Sequence, residues 1–126
     1  MWKQIKETFR AYIKTVWITV GKTTEVDPYE HTFTVVEQNP VPLQAIVKDL
    51  TAAQAQYKML GMQTSDAKDA KELLISKQFR QWVELSRTIK IDGREYYAWK
   101  DAAGVRNQVR EVDDILRIYV YSKPMQ

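Results

Sequence analysis

Any chemistry in this chain would have to start from very few groups. His31 is the only histidine among 126 residues, and there is no cysteine. A serine nucleophile would depend on His31 as its base, yet Ser65, Ser76, Ser86 and Ser122 all stand outside a G-x-S-x-G turn. Without a thiol, thiolate catalysis, disulfides and cysteine metal sites are excluded. Glu25, Asp27, Glu30 and His31 form the densest set of possible metal ligands. Hard cations accept such oxygens, but the spacing is not that of an EF-hand, and Pro28 marks a solvated acidic turn. Glu111, Asp113 and Asp114 read as loop charge before a strand. The four glycines are scattered singly, so no P-loop or G-x-G-x-x-G cradle for phosphate is present. These patterns point away from an enzyme and imply no catalytic, cofactor-binding or metal residue.

Recognition is the other chemistry available. Arg94, Tyr96, Tyr97, Trp99 and Lys100 run close together, with Arg106 and Arg110 beyond them. Small β-barrels bind single-stranded nucleic acid on such aromatic platforms with basic neighbours. The competing reading puts alternate aromatics in a core and solvates the cations. The charge distribution favours the second. Residues 1–24 carry five cations against Glu7, while the rest of the chain has a net charge of −1, and binding without sequence preference needs a net basic surface.

The elements follow from periodicity. Trp2, Ile5, Phe9, Tyr12, Ile13 and Val16 recur every three or four residues, which predicts an amphipathic helix over residues 1–16. Trp2, Ile5, Phe9 and Tyr12 on that helix form a candidate protein interface for a neighbouring subunit. First strands follow over 17–50: VWITV, HTFTVV after the loop GKTTEVDPYEH, and Leu43–Leu50 with Leu43, Ala45 and Val47 on one side. Thr51 with Gln54 has the form of a capping box opening a helical insert over 51–70, with Gly61 placed to end the helix. A strand near 72–77 and a short helix over 79–86 come next. Residues 88–99 read as a hairpin about Asp92-Gly93, and Leu116, Ile118 and Val120 form the apolar face of a last strand. A two-residue turn pairs Ile89 with Tyr96; a three-residue loop pairs Ile89 with Tyr97. The sum is one domain over 1–126, mainly β with minor α: a small barrel or sandwich with an N-terminal helix and a helical insert. No apolar run is long enough to span a bilayer and the N-terminus lacks a secretory pattern, so use in a cytoplasm is expected.

The order NPVPLQAIVKDLT, AKELLI, WVELSRTIKIDGREYYAWKD and LRIYVYS resembles neck proteins of tailed bacteriophages, in particular the head-closure (head-completion or stopper) family. The resemblance covers residues 30–122. Ile89, Ile91, Asp92, Gly93 and Tyr96 or Tyr97 carry an I-x-I-D-G-x-x-Y hairpin, and Leu116, Arg117, Ile118 and Tyr119 the last strand. It implies a virion protein, assembled in the host cytoplasm, that forms a homo-oligomeric ring, typically of twelve subunits. Such a ring closes the portal channel after packaging and gives the tail its docking surface. The implied partners are the portal or adaptor ring above, a tail protein below and packaged DNA touched without sequence preference, with no membrane and no small-molecule substrate. Lys100, Arg106 and Arg110 become candidates for facing the channel or a partner. The matching insert, 51–70, departs from a simple gate loop by its helical signals. The remaining readings are a tail-terminator or connector adaptor subunit, or an OB-like module for single-stranded nucleic acid.

Overall fold

The alternation of β-branched and apolar residues is realised as strands that close on themselves. The computed structural model describes residues 1–20, 23–26, 33–36, 40–51, 53–55, 69–100 and 107–122. A short helix, α1 (Trp2–Thr8), is followed by a 3-10 turn (Arg10–Tyr12) and the first strand, β1 (Ile13–Val20). The others are β2 (Thr23–Val26), β3 (Phe33–Val36), β4 (Val41–Leu50), β5 (Ala70–Ser76), β6 (Ser86–Ile91), β7 (Arg94–Ala98), β8 (Arg110–Val112) and β9 (Ile115–Ser122). A second helix, α2 (Arg80–Glu84), links β5 to β6. The hydrogen-bonded order is β5-β4-β1-β6-β7-β9-β8, and β5 also pairs with β9. All pairs are antiparallel. The result is a closed six-stranded antiparallel barrel with β8 as an extra strand along β9. β2 and β3 pair in a sheet of their own.

Side chains of a strand alternate between faces, and one alternate set fills the barrel. Val16, Ile18, Leu43, Ala45, Val47, Leu73, Ile75, Ile89, Ile91, Tyr96, Ala98, Leu116, Ile118 and Val120 make one buried cluster. The apolar faces expected of 43–50 and of the last strand are therefore the inner faces. Val83 of α2 joins this cluster and is fully buried, with Phe79 and Val109 packed beside it, so α2 stoppers one end. Asn107 fixes the stopper by donating to the Val83 carbonyl at 3.0 Å, the Ser86 carbonyl at 2.9 Å and Ser86 Oγ at 2.8 Å.

The hairpin takes the two-residue turn. Ile89 lies opposite Tyr96 and Ile91 opposite Arg94. Asp92 and Gly93 have φ of 50° and 82°, the left-handed region that glycine enters without steric cost. Tyr96 is thereby buried and Tyr97 only half-buried. The capping box also forms: the Thr51 N–H donates to Gln54 Oε1 at 3.0 Å, and the Gln54 N–H to Thr51 Oγ1 at 3.2 Å. Helix follows over 53–55, and the expected helix end at Gly61 lies outside the described residues.

The structure departs from the sequence reading at four elements. The N-terminal helix stops at Thr8 rather than continuing to residue 16. Ile13–Val20 pairs with both β4 and β6, and that double ladder outweighs the local 3.6-residue period. Thr23–Val26, within a stretch expected to be loop, forms a strand against Phe33–Val36, as its β-branched composition permits. The strand expected near 72–77 begins at Ala70, and the helix after it covers only Arg80–Glu84.

Candidate functional site

The N-terminal stripe is turned against its own barrel. Trp2, Ile5, Phe9 and Ile13 pack over Ile46, Leu74 and Ile115, outward-facing residues of β4, β5 and β9 that this cover buries. The helix is held at its start by Asp114, whose carboxylate oxygens accept the Trp2 N–H at 3.0 and 3.1 Å. That hydrogen bond, reinforced by the terminal ammonium 3.5 Å away, keeps the Asp114 carboxyl below the usual carboxylate range. Of the four candidate interface residues, Tyr12 alone is largely exposed, at 53%. It meets Phe9 edge-on at 6.2 Å. Trp2, Ile5 and Phe9 are partly buried beneath the helix. What α1 shows outward is charge: Lys3, Gln4, Lys6, Glu7, Arg10 and Ile13 line a groove of about 630 Å³ along its flank.

The other candidate cations are not gathered into one site. Lys100 is exposed just beyond β7, where it bridges to Asn107. Arg110 is exposed at the start of β8, directly across from Arg117 of β9. Arg117 Nε is buried without a hydrogen-bond partner among the described residues. Arg106 lies outside the described residues, as do Asp27, Glu30 and His31 of the acidic turn. Among the described residues no group of three His, Cys, Asp or Glu side chains is placed to hold a metal ion.

The aromatic run divides between the two faces of β7. Tyr96 points inward. Tyr97 and Trp99 lie outside, where Tyr97 meets Tyr121 at 6.0 Å and Trp99 meets Tyr121 edge-on at 6.2 Å. Trp99 also packs into a small cluster with Ala55, Ala70, Tyr119 and Leu50. This cluster seats the helical turn at 53–55 against the outside of the barrel.

A feature that the linear sequence does not display lies at the end of the barrel opposite α2. Lys14, Asp49, Lys71 and Arg94 continue the inward-facing alternation of β1, β4, β5 and β7 just past the last apolar residues. With Asp69 and Asp92 they form one isolated ion pair and one linked set of three. Lys14 pairs with Asp92 at 2.6 Å, Arg94 with Asp69 at 2.8 Å, and Lys71 with both Asp49 and Asp69. Lys71 holds the Asp49 carboxyl below its ordinary value. Tyr96 donates its hydroxyl to Asp69 at 3.0 Å from within, and burial with the Asp69 contact pushes its pKa up to about 12. The partners are up to 78 residues apart in sequence, so no local motif reveals them. The only signal was that inward parity runs on into charged residues.

The fold and these surfaces define a barrel with a helix packed across one end and ion pairs around the other. A scan against models of protein families finds none that matches the chain, and a search of curated proteins finds no match either.

Proposed function

We propose that this protein is a structural subunit of a phage head-to-tail interface, one that closes the portal channel after DNA packaging and offers a docking surface to the tail. The observation that supports this reading is the placement of the two long connections. Residues 21–40 join β1 to β4 at the end stoppered by α2. Residues 51–69 join β4 to β5 at the end that carries the ion pairs. A barrel packed solid between two excursions at opposite ends has the form of a spacer that meets one partner above and another below. In a ring of such subunits the barrels would set the spacing and the connections would make the contacts.

Deletion of the gene in its phage tests the reading. Accumulation of finished tails beside heads that have lost their DNA is the expected result. Joined virions of normal infectivity from the deletion strain would overturn it.

A further inference from the structure

We propose that the flank of α1 is a binding surface for the phosphodiester backbone of duplex DNA. The excess positive charge of the chain lies in its first two dozen residues, and the structure determines which part of it is free to act. Lys14 is tied to Asp92, Lys71 to Asp49 and Asp69, Lys77 and Arg80 to Glu111, and Arg94 to Asp69. Lys3, Lys6 and Arg10 form no ion pair among the described residues, and all three line one groove. Their positions follow from the helix. Trp2, Ile5 and Phe9 form the stripe packed on the barrel; Lys3 and Lys6 each lie one residue on, about a quarter-turn round the helix axis, and Arg10 follows Phe9 in the 3-10 turn. The apolar stripe thus fixes the cationic one along the helix edge.

The shape and composition of the groove favour a polyanion over a protein. Protein interfaces depend on aromatic or aliphatic anchors in pockets, and among the described residues Ile13 is the one large apolar side chain lining this groove. Across the α-helical and 3-10 turns Lys3 to Arg10 spans roughly 10 Å, which is about three phosphate steps of one strand measured along a duplex. Glu7 stands in the same groove and opposes an anion, so it serves as an internal control. The proposal rests on the neck reading only for the source of the DNA, and it places the contact on α1 rather than at Lys100 or Arg110.

The test is a titration of the isotopically labelled full chain with a 12-base-pair duplex, followed by backbone amide shifts in 50 mM salt. Shifts confined to residues 3–13 are expected. Three phosphate contacts predict that affinity falls about 40-fold between 50 and 200 mM salt. Glu7→Gln should strengthen binding several-fold, and the triple change Lys3→Gln, Lys6→Gln, Arg10→Gln should abolish it while leaving the far-ultraviolet spectrum unchanged. Absence of shifts, shifts centred on Lys100 and Arg110, or tighter binding of a polyglutamate peptide than of DNA would each overturn the proposal. The titration is independent of the deletion experiment, so failure of one reading is distinguishable from failure of the other.

Discussion

Tyr96 faces into the barrel from β7, and its hydroxyl donates 3.0 Å to Asp69, the residue that also receives Arg94. One phenol therefore joins the apolar core to the ion pairs at the barrel end. The folded state favours the protonated phenol, with its pKa raised from 10 to about 12. A group whose pKa is raised on folding contributes stability below its unfolded value and loses it as pH climbs through the folded one. Stability should be level up to about pH 10 and fall between pH 10 and 12. Absorbance at 295 nm should show one of the seven tyrosines ionising last. Tyr96→Phe should remove that late step and cost about 1 kcal/mol in urea unfolding. An unchanged tyrosine titration in Tyr96→Phe would refute this.

Asp114→Asn should release α1. The carboxylate accepts the first N–H, that of Trp2, of a helix that has no side-chain cap from its own N-cap residue and no fully buried residue, and so short a helix is unstable alone. The Asp114 pKa lies below its ordinary value. Its contribution is therefore present at neutral pH and lost as pH falls through the folded value. In the variant, or in acid, the amides of Ile5 and Phe9 should exchange with solvent faster while those of β9 stay protected. Equal protection at Ile5 in wild type and variant would show that packing alone holds the helix.

Gly93→Ala should cost about 1 kcal/mol through its positive φ. A Cβ there would meet nothing within 4 Å, so the cost is conformational and not steric. Gly93→Asn should lose less, because asparagine tolerates the left-handed region. Equal unfolding midpoints in urea for Ala and Asn would contradict this account of the turn.

Much of the barrel was legible because its signals are local. Asp92-Gly93 dictates a turn, Thr51 and Gln54 cap each other, and Leu116, Ile118 and Val120 share a face by parity alone. The hairpin register was open because Tyr96 and Tyr97 are the same residue type side by side. It was resolved by Tyr96 reaching Asp69 from the core. The end of α1 was misplaced because Ile13 and Val16 fit both a helical stripe and a strand, and only pairing with Ile46 and Leu43 decides between them. The charged barrel end was invisible for the same reason: Lys14 meets Asp92 only after the barrel has closed. The candidate interface on Trp2, Ile5 and Phe9 rested on periodicity, which states that a face is apolar but not what covers it.

Closure has a consequence for the nascent chain. β9 forms ladders with β5, β7 and β8, so three ladders wait for residues 115–122. While these are still inside the ribosome, β5 presents a bare hydrogen-bonding edge, and such an edge invites pairing with other chains. Long-range closure of this kind is also slow. Copies of the chain synthesised side by side from one messenger are therefore open to mispairing along that edge until β9 is in place.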